Sequence, residues 1–206
     1  MYRHFSRFIS IVLITATLLL QSSCCTLLIP ITIIGAGIAA SDYRNTSNIF
    51  SDNTILAQIK GKFTTYNISD VLMGVSVHVM EGRVMLTGNI NDPQITDKIV
   101  KIAWSTTGVK EVINEIEIGL RKSPTEQYKD FNIGNHIKSR LILEKKLKSQ
   151  NYIIDVNKGN VYILGVYDNE LDLAKVLTIA SSVKGVKKVT SHVISRDDPR
   201  RMSIKK

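Results

Sequence analysis

The chain has 206 residues, with 27 Lys plus Arg against 18 Asp plus Glu, a formal charge of +9 and only 6 % aromatics. Hydrophobic residues supply 44 % with ordinary Gly and Pro numbers, which excludes a disordered, collagen-like or low-complexity chain. The two cysteines are adjacent, Cys24 and Cys25, and no Cys or His cluster stands at metal-ligand spacing, so neither a disulfide framework nor a structural zinc site is expected.

The N-terminal segment reads as a targeting signal. Arg3 and Arg7 precede an apolar run from Phe8 to Leu20, and Gln21-Ser22-Ser23 then leads into Cys24. A charged start, a short apolar core and small residues before a cleavage point make a secretory signal over residues 1–23. A small residue directly before a cysteine is also the layout of a bacterial lipoprotein signal, with Cys24 as the acylated first residue. Such signals usually place Leu three before the cysteine, whereas here Gln21 stands there with Leu20 one further back. The other reading is an uncleaved anchor, because Thr26 to Ala40 is apolar too and the two runs together are long enough to span a bilayer.

Residues 24–50 are expected to form an apolar tether and a polar linker. Within them Gly35-Ala36-Gly37-Ile38-Ala39-Ala40 fits the dinucleotide-binding pattern, whose glycines allow a tight turn before a helix N-terminus. That chemistry needs a following amphipathic helix, and Ser41 to Asn48 is polar throughout, so the segment reads as a small-residue tether and no cofactor is expected.

An internal repeat fixes the organisation of the rest. Glu81-Gly82-Arg83-Val84-Met85-Leu86-Thr87-Gly88 returns 77 residues later as Lys158-Gly159-Asn160-Val161-Tyr162-Ile163-Leu164-Gly165. Gly108-Val109-Lys110-Glu111-Val112 returns as Gly185-Val186-Lys187-Lys188-Val189 at the same offset. Each copy predicts a helix, a hairpin, a second helix and a last strand. The first helix is placed from Ser51-Asp52, which suit an N-cap, with Ile55, Ile59 and Phe63 on one face. Its counterpart carries Ile133, Ile137 and Leu141, offset by 78, so helix and strand are spaced differently by one residue in the two copies. Val75, Val77 and Val79 alternate with polar residues as a strand, and Gly82 and Gly159 fall where a two-residue turn needs positive φ. The second helix opens at Asp92-Pro93, buries Ile95, Ile99, Ile102 and Ala103, and is expected to stop at Gly108. Val109 to Ile118 forms the last strand. The fold class is α+β, two tandem units over residues 51–120 and 128–195, each with two helices on a small three-stranded mixed sheet, and a basic tail over 196–206.

The G-x-V-x-L-x-G hairpin, the helix after it and the GVKEVINEI and GVKKVTSHV segments resemble BON domains. Two such units behind a lipoprotein signal are similar to the dual-BON outer-membrane lipoproteins of Gram-negative bacteria. The resemblance implies a periplasm-facing, lipid-anchored outer-membrane protein that binds anionic phospholipid and supports envelope integrity.

Nothing in the repeats reads as catalytic machinery. His4, His78, His136 and His192 lack Cys, His or carboxylate neighbours at ligand spacing, and His78 alternates with Val77 and Val79, which predicts a surface position on the polar side of a strand. No nucleophile elbow, phosphate-binding loop or zinc-protease motif occurs, so no enzyme, metal or small-molecule substrate is expected. Trp104 flanks the apolar stripe of the second helix and is expected at its partly buried rim.

Charge separates the copies. Residues 51–120 hold six basic and eight acidic residues, whereas residues 121–206 hold eighteen and nine. On the first helix of the second copy Lys138, Ile142, Lys145 and Lys146 fall within about 100° of one another at 100° per residue. An apolar residue among lysines suits a membrane headgroup boundary. Lys184, Lys187 and Lys188 beside Gly185 add to the positive side, as do the tail residues Arg196, Arg200, Arg201, Lys205 and Lys206. Nucleic acid is not an expected partner, because none of the twelve glycines is spaced G-x-x-G and no stacking aromatics interleave the basic residues. The expected partner is an anionic phospholipid membrane, with envelope proteins as the alternative.

Overall fold

The computed structural model describes residues 46–66, 68 and 73–201. Cys24, the signal segment, the tether and Lys205 and Lys206 lie outside the described residues. The element order is α1 (Thr46–Thr65), β1 (Val75–Met80), β2 (Arg83–Ile90), α2 (Pro93–Trp104), β3 (Glu111–Ile118), α3 (Pro124–Leu143), β4 (Tyr152–Asn157), β5 (Asn160–Tyr167), α4 (Glu170–Ser181) and β6 (Lys188–Ser195). Short 3-10 turns at Ser149–Asn151 and Pro199–Arg201 complete it. Each half is therefore helix, hairpin, helix, strand, with sheet orders β1-β2-β3 and β4-β5-β6. The hairpins are antiparallel and the last strand joins parallel, so both sheets are mixed.

The turns have the chemistry the repeat requires. Glu81 and Gly82 have φ of 55° and 79°, and Lys158 and Gly159 have 50° and 83°. Two consecutive positive φ values are those of a type I′ turn, which matches the twist of the flanking strands. Each turn is clamped by a buried aspartate from the helix of the same unit. Asp52 accepts from the amides of Glu81 at 2.7 Å and Gly82 at 2.8 Å. Asp130 accepts from those of Lys158 at 2.8 Å and Gly159 at 2.9 Å. Asp52 is thus not a helix cap. The helix begins upstream at Thr46, and its carboxylate satisfies two turn amides instead. In the second unit the cap is Ser123, in a reciprocal capping box with Glu126 and with Pro124 at the first helical position. The one-residue difference lies between helix and strand, as expected: α3 and β4 are joined by one residue fewer than α1 and β1.

The second helices start as the sequence indicates. Asp92 caps α2 by accepting from the Gln94 amide at 2.8 Å, and Asn169 caps α4 through the Asp172 amide at 3.0 Å. Ile99, Ile102 and Ala103 are buried, while Ile95 is only partly so. The helix ends at Trp104 with Ser105 as its cap. Gly108, at φ 91°, belongs to the following turn rather than to a helix terminator. Trp104 is 53 % exposed, further out than a rim position.

Each unit buries its own helix–sheet core, around Ile59, Phe63, Leu86 and Ile99 in the first and around Ile137, Leu141, Ile163 and Val176 in the second. At roughly 1.5–3 kcal/mol for each fully buried aliphatic side chain, these two layers are the main source of stability. A third apolar cluster joins the units. Met80, Met85 and Ile113 of the first sheet meet Tyr162, Leu164, Val166 and Ile194 of the second, with Ile153 at the edge. The two sheets thus use their second faces against each other, and the central strands β2 and β5 are buried on both sides.

Candidate functional site

The strand face that carries His78 is therefore not a solvated surface. His78 Nε2 lies 3.4 Å from Asp155 Oδ1 across the junction, and His192 Nε2 lies 2.7 Å from Glu115 Oε1. Both pairs join residues 77 apart in sequence, so they are the same position in the two copies. The contact resembles the isologous interface of a twofold dimer, with these two pairs on the pseudo-axis, where a residue meets its own equivalent. Here the equivalents differ in sign of charge, so they attract once the histidines are protonated. Burial alone would raise the Asp155 carboxyl. The nearby His78 ring and its charge, the Thr87 hydroxyl and the Lys122 charge outweigh that and hold it below the usual carboxylate range. Tyr162 Oη donates to Glu117 Oε1 at 3.1 Å, and Asn160 Nδ2 donates to the same oxygen at 2.9 Å. Burial, and then the Glu117 charge, push the Tyr162 phenol well above its ordinary range.

Arg200 and Arg201 of the basic tail are absorbed by this junction. Arg201 reaches the buried Glu81 through two nitrogens, at 2.6 and 2.7 Å. Arg200 pairs with Asp198 and with Glu111, and Arg196 with Asp168 at 2.9 Å. Arg200 pulls the Asp198 carboxyl down to about 2. Arg196, Arg200 and Arg201 therefore add to the internal pairing and not to a free positive surface.

Helix α3 carries four of the five exposed large apolar side chains of the second unit, the fifth being Leu171 on α4. With Ile133, Ile137 and Leu141 turned inward, the 3.6-residue period brings Tyr128, Phe131, Asn135, Lys138 and Ile142 onto one outward stripe. Tyr128 is 69 % exposed, Phe131 64 % and Ile142 68 %. The structure brings Lys138 and Ile142 together on this face with Tyr128 and Phe131, which sequence reasoning missed and whose i, i+3 spacing, continued by Lys138 and Ile142 at i+10 and i+14, was the available signal. The helix ends at Leu143 with Glu144 as an extended cap, so Lys145 and Lys146 are not helical. They lie in the turn beyond it and are exposed. Leu143, 78 % exposed, adds a further apolar side chain at that end.

The remaining lysines of the expected site lie elsewhere. Lys184 and Lys187 occupy the α4–β6 loop and border a groove of about 740 Å³ with Lys129 and Arg140, which project from the other flank of α3. Lys188 is the exposed first residue of β6. The structure thus divides the expected lysines between an apolar-cationic stripe and its helix end, a groove lined by several cations, and the start of β6. Among the described residues no helix is long and apolar enough to cross a membrane, and no group of three or more metal-ligating side chains comes together.

The architecture of helix, hairpin, helix and strand, present twice, defines a tandem α+β domain protein. Residues 51–119 and 129–196 each match the model of the BON domain, and the chain belongs to that family. It is 35 % identical over 143 residues to an uncharacterised protein in the gshII 5′ region of Anaplasma centrale, covering 69 % of this chain and 93 % of that one. Outer membrane lipoprotein DolP of Haemophilus influenzae is 27 % identical over 183 residues, or 86 % of this chain and 91 % of the relative. Osmotically-inducible protein Y of Escherichia coli is 24 % identical over 152 residues, 72 % of this chain and 75 % of that protein.

Proposed function

We propose that the protein is a periplasm-facing lipoprotein of the outer membrane, anchored through Cys24, that docks its second BON unit on anionic phospholipid and supports envelope integrity without catalysing a reaction. The observation that carries the reading is the α3 stripe, where Tyr128, Phe131 and Ile142 stand exposed with Lys138 among them and Lys145 and Lys146 at the helix end. Aromatic and aliphatic groups enter the headgroup boundary while lysines remain with the phosphates. Each lysine close to an anionic surface contributes about 1 kcal/mol, screened by salt. The relation to an outer membrane lipoprotein supports the envelope location, and the signal-like segment before Cys24 supports the anchor.

Flotation of residues 46–206, which enclose all three apolar clusters, with liposomes of graded anionic content tests the docking. Replacing Lys138, Lys145 and Lys146 by Glu should abolish binding and remove its salt dependence. Ile142→Ser and Phe131→Ser should weaken binding and leave the salt slope nearly unchanged, because they remove insertion and no charge. Lys60→Glu on the first unit should do little; equal damage there would refute the assignment to the second unit. For the anchor, intact-mass analysis should find a mature chain that starts at an acylated Cys24, and Cys24→Ser should yield a soluble or precursor form. An unmodified N-terminus at Met1 would end that part of the reading.

A further inference from the structure

The groove on the other flank of α3 is built differently from the lipid-docking stripe. Its helix wall presents Lys129, His136 and Arg140, its loop wall presents Lys158, Lys184 and Lys187, and Ile133 and Val183 lie at its base. Only two carboxylates line it, and both are engaged. Glu126 accepts from the Ser123 amide and hydroxyl at 2.8 and 2.9 Å, and Asp130 is held by the two turn amides and by Lys122 at 3.0 Å. Arg140 is fixed by a hydrogen bond to Ser182 at 3.0 Å and Lys158 by one to the Leu120 carbonyl at 2.9 Å. Among the described residues, Lys129, Lys184 and Lys187 have no carboxylate within ion-pair distance.

The first unit provides an internal control, because it has a groove at the same place, of about 480 Å³. There Ser51 stands for Lys129, Gln58 for His136, Glu81 for Lys158 and Thr107 for Lys184, while the positions of Lys187 and Arg140 keep cations, as Lys110 and as Lys62, which bonds Ser105 as Arg140 bonds Ser182. The fold therefore does not require cations at the positions of Lys129, Lys158 and Lys184. Five of them converging on one concavity repel each other unless an anion is shared, and two facing walls of cations suit a ligand with more than one phosphoryl charge.

We propose that the groove between α3 and the α4–β6 loop binds a diphosphate or bisphosphorylated group, independently of the apolar stripe that docks on membrane. The phosphoryl oxygens lie between Lys129 and Arg140 on one side and Lys184 and Lys187 on the other, with the carrier of the phosphates over Ile133 and Val183. The same chemistry is offered by free phosphate compounds and by phosphorylated lipid headgroups.

The test uses the full chain in neutral phosphatidylcholine nanodiscs, followed by the NMR amide shifts of Gly159 and Gly185, with two probes: inorganic pyrophosphate in solution, and diacylglycerol pyrophosphate doped into the disc. Saturable shifts at these glycines should appear with one probe at least. Lys129→Ser with Lys184→Thr, which restores the first unit's residues at positions without ion pairs, should weaken binding about tenfold, since charge-assisted contacts to phosphate are lost. Ile142→Ser should leave it unchanged. Groove-dependent binding of pyrophosphate assigns a free phosphate compound, and groove-dependent shifts with diacylglycerol pyrophosphate alone assign a lipid headgroup. Shifts that are absent with both probes, or equal in the double variant, overturn the proposal. Because the flotation test reads Lys138 and Ile142 and this one reads Lys129 and Lys184, failure of either leaves the other standing.

Discussion

The two BON units share a backbone plan and differ in what their helices offer to the outside. In both, an aspartate on the first helix holds the two amides of a type I′ turn, and in both the core is a helix pair on one sheet face. Where the first unit has Ser51, Gln58, Glu81 and Thr107 around its groove, the second has Lys129, His136, Lys158 and Lys184. The core and turn positions of the two units are alike and the groove positions have diverged, Glu81 becoming the buried partner of Arg201. A repeat inside one chain therefore separates structural from functional residues without any other sequence for comparison, because each copy shows what the fold tolerates.

The junction extends the same lesson. In a symmetric dimer of either unit, His78 would face His78 and Asp155 would face Asp155. Divergence to opposite charges makes the two units complementary to each other and repellent to themselves, as specificity by like-charge exclusion requires. The largest expected effect comes from the cluster that both units share. Leu164→Ala removes a fully buried side chain there and should cost about 3 kcal/mol. The loss should appear in one cooperative urea transition monitored in both units. If the first unit kept its midpoint while the second lost stability, the two would not be energetically coupled.

The strap comes next. Arg201→Ala leaves the buried Glu81 carboxylate without its bidentate partner and should lower stability by about 2–3 kcal/mol, somewhat below the value for a wholly buried pair because Arg201 is partly exposed. Thermal unfolding measures it. Adding Glu81→Gln should recover most of the loss, and an Arg201→Ala protein with an unchanged Tm would show that the tail contributes nothing to the junction.

A smaller effect, about 1 kcal/mol by analogy with facing charges on neighbouring strands, belongs to the exchanged charges. His78→Asp places two carboxylates together and should destabilise, while His78→Asp with Asp155→His reverses the pair and should restore stability. A double-mutant cycle reads the coupling. Additive losses would mean that the complementarity has no energetic role.

Much of this was legible beforehand, and what was missed has identifiable causes. The 77-residue offset gave the element order because glycines at positive φ and alternating valines are local signals. The start of α3 upstream of residue 128 was missed, although Ser123-Pro124-Thr125-Glu126 is a capping box with proline at the first position. The buried setting of His78 was missed because alternation in β1 assigns every second residue to water. Its neighbours held the opposite clue: Val161 to Val166 in β5 is nearly continuous apolar sequence, as in a strand buried on both faces. Arg201 had no local signal, because Glu81 lies 120 residues away. The stripe on α3 was half visible, since Lys138 and Ile142 drew notice through their charge contrast while Tyr128 and Phe131, nearer the helix start, carry no charge to mark them.

The smallest expected effect concerns pH and isolates one side of the comparison, because Asp155 has a histidine as its first-unit equivalent. Its folded pKa is below the ordinary 3.8. A carboxylate with a depressed pKa adds stability that is present in full above the unfolded value and is lost as pH falls through the folded one. The wild-type protein should therefore lose part of its stability on acidification from about pH 5 to below 3.8, and Asp155→Asn, which cannot take up that proton, should show a shallower acid limb over the same window. Asp155→Asn should also be less stable than wild type near neutral pH, where the carboxylate is charged and faces His78 and Thr87. Urea midpoints measured across the window give both slopes. Parallel profiles would mean that the acid sensitivity resides in other carboxylates and that the charge asymmetry between the copies is not stabilised at this position.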